Sequence, residues 1–209
     1  MPQPPTLKVV ELFASVQGEG LRLGQPTIFI RLAGCNLRCP FCDTKYAWRG
    51  GREYTPARLV QEAVKVRNRF PCRWVCLTGG EPLLQKVKDL VLGLKARGFE
   101  VQIETNGTVR PGVPADWFSV SPKPPRYDVA PGFRRKAGEV KLVVSRGLSF
   151  QDVRKVRQAF PGRTPLLLQP QSNFAWSVRK GWKLLRLSLD AGLPNVRLTV
   201  QAHKVLGLP

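Results

Sequence analysis

The stretch Thr27-Ile28-Phe29-Ile30-Arg31-Leu32-Ala33-Gly34-Cys35-Asn36-Leu37-Arg38-Cys39-Pro40-Phe41-Cys42 runs from a block of β-branched and aromatic residues straight into three cysteines. Thr27–Leu32 has the composition of a strand, so the cysteines follow its C-terminal end. The spacing Cys-x3-Cys-x2-Cys offers three thiolates, and three thiolates on a four-iron cluster leave one iron open for reactive chemistry. Zinc is the competing occupant, but it usually takes four Cys or His ligands. The single histidine, His203, is far along the chain, so a fourth zinc ligand would have to come from Cys72 or Cys76.

Outward from this stretch, strands and helices alternate. Lys8–Ala14 reads as a strand before it. After it, Thr55 and Pro56 mark the cap and first turn of a helix reaching about Arg69, with Leu59, Val60, Ala63 and Val64 as its apolar face. Arg73–Leu77 is the next strand. The loop Thr78-Gly79-Gly80-Glu81-Pro82 then opens a helix, with Leu83, Val87, Leu90, Val91 and Leu94 at helical spacing and Gly98 as its stop. Phe99–Glu104 is a strand, and Thr105–Asp116 holds two prolines and two glycines, which leaves no room for a crossover helix before the short strand Trp117–Val120. The Pro-rich segment Pro122–Pro131 reads as an ordered excursion. Alternation resumes with strand Glu139–Val144, a helix from Ser149 to Phe160, strand Pro165–Gln169, a helix near Phe174–Ala191 and strand Asn195–Val200. The pattern predicts an α/β fold with mostly parallel strands and right-handed crossovers. Fewer helices than strands implies an incomplete barrel, and the 209 residues fit one domain, 1–209.

Hydrophobic content of 43% and charged content of 23% are ordinary for a globular chain. No apolar run approaches the roughly 18–20 residues of a membrane span, and the start Met-Pro-Gln-Pro-Pro resembles no secretory signal. Five cysteines cannot all pair internally, and clustered thiols fit a reducing compartment; the expectation is a cytoplasmic protein. Cys76, on an apolar strand, reads as a small buried hydrophobe. The net charge of +20 is concentrated late, with 15 Lys/Arg against 3 Asp/Glu over residues 134–209. Such a balance suits nucleic acid, anionic small molecules or a solvated basic surface alike. No familiar nucleic-acid motif accompanies it, and Trp176 and Trp182 are expected on the apolar face of their helix rather than on a stacking platform.

Gly34-Cys35-x3-Cys39-x-Phe41-Cys42 resembles the cluster loop of the radical S-adenosyl-L-methionine (SAM) superfamily, and Gly79-Gly80-Glu81-Pro82 resembles its glycine-rich loop. The resemblance implies a truncated radical SAM (β/α) barrel. It also implies a 4Fe-4S cluster on Cys35, Cys39 and Cys42, with SAM on the open iron and cleaved there to a hydrogen-abstracting adenosyl radical. Glycines let backbone approach the methionine ammonium, and Glu81 would offset its charge. By the same resemblance Phe41, Gly80, Glu81, Ser121, Lys123 and Gln169 line the SAM pocket. Read without it, Gln169 is equally a strand-end residue before Pro170.

Six blocks in order narrow the resemblance to the 7-carboxy-7-deazaguanine synthase family: Phe13-Ala-Ser-Val-Gln17-Gly-Glu19-Gly, Phe29-Ile-Arg31-Leu-Ala-Gly-Cys35-Asn, Cys42-Asp43-Thr44, Thr78-Gly-Gly-Glu-Pro-Leu-Leu-Gln85, Glu104-Thr-Asn-Gly-Thr108 and Ser121-Pro-Lys123. The family reaction is the Mg²⁺-assisted contraction of 6-carboxy-5,6,7,8-tetrahydropterin with loss of ammonia, a carbon–nitrogen lyase step toward queuosine and other 7-deazapurines. The resemblance implies Gln17, Glu19, Arg31 and Thr78 as substrate contacts, Thr44 as the Mg²⁺ contact, an electron donor of unidentified nature and a homodimer. A guanidinium suits a carboxylate because it binds as a bidentate fork, and a hydroxyl is a hard donor suited to Mg²⁺. Without the resemblance these residues read as a turn, an ion pair and a cap. The short apolar tail His203–Pro209 is expected to dock, with the Pro209 carboxylate on the substrate's amino or ring N–H groups. Two other readings stay open: a glycyl-radical enzyme activase, whose cysteine loop is similar and whose substrate is a protein, and a basic metal-containing nucleic-acid binder.

Overall fold

Ten residues, of which Leu7, Val9 and Ser15 are buried, form the first strand, β1 (Leu7–Val16), which is antiparallel to β2 (Pro26–Leu32) with Phe13 opposite Phe29. The two rings stack at 5.2 Å. These elements come from a computed structural model that describes residues 5–209. The chain divides into two compact units: the described chain through Val16 with Gln25–Thr105 and Pro111–Trp117, and Gln17–Gly24 with Asn106–Arg110 and Phe118–Pro209.

In the first unit the strand order is β3-β1-β2-β4-β5, where β3 is Arg52–Tyr54, β4 Trp74–Gly79 and β5 Glu100–Thr105. β2, β4 and β5 are parallel; β3 is a three-residue edge strand antiparallel to β1, too short to stand out in the sequence. Helix α1 (Pro56–Arg69) begins where expected, because Thr55 Oγ1 accepts the Arg58 N–H and Pro56 needs no amide partner. It buries Leu59, Val60 and Ala63, and α2 (Lys88–Ala96) buries Leu90, Val91 and Leu94. At Gly93 a Cβ would lie 2.9 Å from Val60, so glycine sets how closely α1 and α2 approach.

The expected helix from Pro82 does not form as one piece. Pro82–Leu84 is a single 3-10 turn, Gln85 is extended, and α2 starts at Lys88. The cause is Gln85: its amide donates to the Ala33 and Lys8 carbonyls at 2.9 and 3.1 Å and accepts the Lys8 N–H at 2.8 Å. This side chain brackets Lys8 of β1 and Ala33 just after β2, pairing the Lys8 N–H and the Ala33 carbonyl.

In the second unit β6 (Trp117–Val120, from Phe118 onward), β7 (Ala137–Val144), β8 (Leu166–Pro170) and β9 (Val196–Leu198) are parallel neighbours in that order. Their helices are α3 (Phe133–Lys136), α4 (Phe150–Ala159), α5 (Ala175–Asp190) and α6 (Ala202–Leu206). α4 starts with a complete capping box between Ser149 and Asp152. The Pro-rich excursion is ordered, since Lys155 of α4 donates to Arg126 O at 2.5 Å and to Asp128 Oδ1 at 3.0 Å.

One expectation is corrected in this unit. α5 turns small residues inward, Ser177, Gly181 and Ser188 beside Leu184, because a Cβ at 181 would already lie 2.8 Å from Leu198. Trp182 is therefore 56% exposed rather than in the core, while Trp176 stacks under Arg146 at 4.7 Å. The tail after β9 packs back on the loop that holds Gly18, where Ala202 N–H bonds Gly18 O at 2.8 Å. It forms α6, closed by Gly207 in the left-handed region, and leaves Val205, Leu206 and Leu208 exposed. Among the described residues no helix is long and apolar enough to cross a membrane.

Candidate active site

Because β2 and β4 are parallel, with Arg31 opposite Thr78 and Leu32 opposite Gly79, the cysteine loop and the glycine loop leave the first unit's sheet at the same end. Backbone hydrogen bonds then join them: Gly80 N–H to Leu32 O at 2.9 Å, Glu81 N–H to Gly34 O at 2.7 Å, and Gly34 N–H to Ala47 O at 2.9 Å. A Cβ at Gly80 would lie 1.9 Å from Gly34 O, and one at Gly79 (φ +113°) 2.3 Å from Leu32 O. Both glycines are required by close backbone approach.

Beyond Gly34 the thiol loop is irregular. Arg38 takes φ +47°, Cys42 N–H bonds Cys39 O at 3.0 Å, and Thr44 N–H points at Cys42 Sγ at 3.4 Å. Cys35, Cys39 and Cys42 form no disulfide among the described residues and are half-buried. Phe41 is half-buried beside them. Among the described residues no three Cys, His, Asp or Glu side chains gather round a single ion position; thiolates on different irons of one cluster stand farther apart than the ligands of one ion. Cys76 is wholly buried within β4, and Cys72 precedes that strand, about 20 Å along it from the glycine loop at ~3.3 Å per residue. Burial raises the Cys72 thiol pKa above its usual value. Neither can complete a zinc set with the loop, whereas three thiols outside any disulfide, beside a glycine cradle, fit a cluster with one open iron.

On the adjoining strands, four polar side chains cross β1, β2, β4 and β5 in a row. Arg31 Nε donates to Glu11 Oε1 at 2.5 Å, its guanidinium lies 5.7 Å from the Phe13 ring and 5.8 Å from the Tyr46 ring, and Thr78 Oγ1 donates to Glu104 Oε2 at 2.8 Å. Tyr46 OH closes the row on Glu11 at 2.9 Å; its pKa is raised, by burial first and then by Glu11. Thr44 Oγ1 donates to Asp43 Oδ1 at 3.2 Å, which leaves an oxygen-rich pair on the loop.

Glu81 departs from its expected orientation. It is 0% exposed, and Oε1 accepts from Leu83 N–H at 3.1 Å and Thr105 Oγ1 at 2.8 Å, so the carboxylate orders the turn from within.

In the second unit, the Gln17–Gly20 loop lies along one face of β7. Leu21 N–H reaches Glu139 Oε2 at 2.6 Å, and Ser119 Oγ holds Glu139 Oε1 at 2.7 Å. Glu19 N–H is accepted by Gln17 Oε1 at 3.2 Å. The Glu19 carboxylate receives Lys141 Nζ at 2.6 Å and Gln201 Nε2 at 2.6 Å, with Gln169 as a further donor. Burial alone would raise its pKa; Lys141, then Gln201 and Gln169, outweigh that and lower it to about 2. Ser121 Oγ donates to Lys141 O at 2.9 Å, and Lys123 Nζ donates to Ser121 O at 2.8 Å. Gln169 thus sits with Glu19. Pro209 is exposed past α6.

Residues 29–118 match the model of the Radical SAM superfamily, the class that the joined cysteine and glycine loops define. A curated 7-carboxy-7-deazaguanine synthase of Methanospirillum hungatei is 36% identical over 99% of this chain and 88% of its own length, and that of Bordetella pertussis 36% over 96% and 98%. The crystal structure of QueE from Escherichia coli aligns over 95% of both chains with a TM-score of 0.78 at 28% identity. The chain belongs to the 7-carboxy-7-deazaguanine synthase family of radical SAM enzymes. Its fold class is the expected one, α/β with mostly parallel strands in an incomplete radical SAM barrel.

Sequence reasoning assigned no role to Glu11, Gln85, Glu104, Glu139, Lys141 or Gln201. Gln85 and Glu104 stood inside quoted blocks, a signal that could have found them; Lys141 and Gln201 carried none.

Proposed function

We propose that this chain, acting as one domain, converts 6-carboxy-5,6,7,8-tetrahydropterin to 7-carboxy-7-deazaguanine with loss of ammonia, as a carbon–nitrogen lyase of 7-deazapurine biosynthesis. The observation that carries the reading is the backbone clasp between the cysteine loop and the glycine loop in a chain of this family. Family membership implies a 4Fe-4S cluster and SAM, and Cys35, Cys39 and Cys42 would hold the cluster. When bound, these groups supply the radical chemistry that starts the reaction.

The chain's own residues bind and orient. Gly80 and the Glu81 backbone form a floor for SAM, with Phe41, Ser121 and Lys123 as further contacts and Gln169 reaching SAM through its backbone. Arg31 keeps its terminal nitrogens for a substrate carboxylate while Glu11 fixes its Nε, and Thr78, oriented by Glu104, supplies a hydroxyl. Gln17 and Glu19 are substrate contacts, and the Pro209 carboxylate is proposed for the amino or ring N–H groups. Thr44 with Asp43 offers oxygens to Mg²⁺, which completes its shell with water and substrate. Five cysteines with no disulfide among the described residues support a cytoplasmic setting, with an external one-electron donor. A homodimer belongs to this reading and is supported by the exposed Phe174, Val178, Trp182 and Leu189 along α5.

The test is anaerobic reconstitution with iron and sulfide, then incubation with SAM, a reductant, Mg²⁺ and the carboxytetrahydropterin. Mass-spectrometric detection of deazaguanine product is expected. A cluster-loaded sample that cleaves SAM but forms none would sink the assignment.

A further inference from the structure

Lys141 is 5% exposed in the middle of β7, where a strand facing a core would ordinarily carry an apolar side chain. Its partner Glu19 comes from a loop 122 residues earlier, and Gln201 joins from a segment 182 residues after Glu19. A buried ion pair of this kind is weak support for folding, since apolar residues of similar volume often serve as well. A fold has little reason to gather these three elements round one carboxylate unless the carboxylate has a task.

The chemistry left available to a ligand is specific. The Lys141 cation is neutralised by Glu19, so the cluster does not recruit an anion despite the chain's charge of +20. What remains are acceptors: the ionised Glu19 and Gln169 Oε1. The latter belongs to a side chain only 3% exposed and has no hydrogen-bond partner among the described residues. A buried acceptor without a donor is unfavourable until a ligand brings one.

We propose that Lys141 is a positioning residue of the substrate site, holding Glu19 ionised and aimed so that Glu19 and Gln169 Oε1 accept hydrogen bonds from an N–H-bearing edge of the substrate. This deepens the functional reading above and rests on it. The adjacent amino and ring N–H groups of a pterin are such an edge. Lys141 touches no reacting atom in this scheme and acts through Glu19.

The test uses the cluster-loaded protein and four variants: Lys141→Met, Lys141→Arg, Glu19→Gln and the double variant Glu19→Gln with Lys141→Met. The readouts are kcat and KM for the carboxytetrahydropterin, the dissociation constant of oxidised 6-carboxypterin as an unreactive probe, and SAM cleavage without pterin. Lys141→Met should raise KM and the probe's dissociation constant by about tenfold or more, with SAM cleavage within about twofold of wild type. Lys141→Arg should recover most of the loss. In the Glu19→Gln background the Lys141 substitution should add less than about twofold, because nothing remains for it to position. A further loss of about fivefold there overturns the proposal. So does unchanged probe binding in a folded Lys141→Met. If that single variant fails to fold with a lone buried carboxylate, the Glu19→Gln pair, which buries none, decides alone. A wild-type enzyme that turns over no pterin defeats the functional reading instead, and is distinguishable because it fails before any variant is compared.

Discussion

Gly80 shows how a single missing carbon sets the site. Its constraint is the 1.9 Å from a hypothetical Cβ to Gly34 O, so no side-chain adjustment can relieve Gly80→Ala; the clasp itself must open. We expect a loss of roughly 2 kcal/mol or more in stability, a Tm several degrees lower, and a cluster content by iron assay well below wild type. Gly112→Ala is the matched control, with nothing within 4 Å of its Cβ, and should stay within about 0.5 kcal/mol. Equal shifts in the two variants would remove the clasp from the account. The glycines themselves were legible in the sequence, since Thr78-Gly-Gly-Glu-Pro is a motif. The inward turn of Glu81 was not, because a glutamate between Gly and Pro reads the same whether it faces a ligand or Thr105.

Among elements, the contrast between α1 and α2 is instructive. Both carry a clean apolar face, but only α1 begins where the face begins, because Thr55 and Pro56 are local signals. The start of α2 is governed by Gln85, whose partners Lys8 and Ala33 are 77 and 52 residues away, and no pattern within a helix-length window contains them. Gln85→Ala should therefore strip the side-chain partner from Lys8 N–H and Ala33 O, while Lys8 O keeps the Ala33 N–H, and cost about 1–3 kcal/mol in denaturant unfolding. A cost below about 0.5 kcal/mol would mean water replaces the bracket. For α4, Ser149→Ala removes one side of the capping box and should cost about 1 kcal/mol, which for a chain of this size lowers Tm by about 2–4 °C. α5 was misread at Trp182 for a related reason: its periodicity marks an apolar stripe, but the close approach of Leu198 to Gly181 decides which stripe faces the strands.

At the scale of the whole molecule, acid stability gives a test of the buried pair. Glu19's folded pKa of about 2 lies below its unfolded value, so its stabilisation is complete above about pH 4.5 and is lost as pH falls toward 2. Wild type should lose stability over that window more steeply than the double variant Glu19→Gln with Lys141→Met, measured by urea midpoints. Parallel profiles would contradict the pairing. Association is tested separately: Trp182→Glu on the exposed face of α5 should convert a dimer to a monomer in light scattering, and a dimer of unchanged mass would place the contact elsewhere. Most of the strands along the chain and the cluster motif were thus readable from short stretches, whereas the gathering of the Glu19 group was not. Its members come from positions 19, 141, 169 and 201, and a lysine within a strand gives no sign of which face it takes.

The tie from Gly34 to Glu81 also has a consequence for synthesis on the ribosome. Cys35 emerges well before Glu81, and at roughly 5–20 residues per second the interval lasts about 2–10 s. Throughout it the three thiols hang on a nascent chain whose second tether does not yet exist. Iron loading during translation would therefore meet an unanchored loop exposed to oxidants, so productive delivery of iron and sulfide belongs after β4 and its glycine turn have been made.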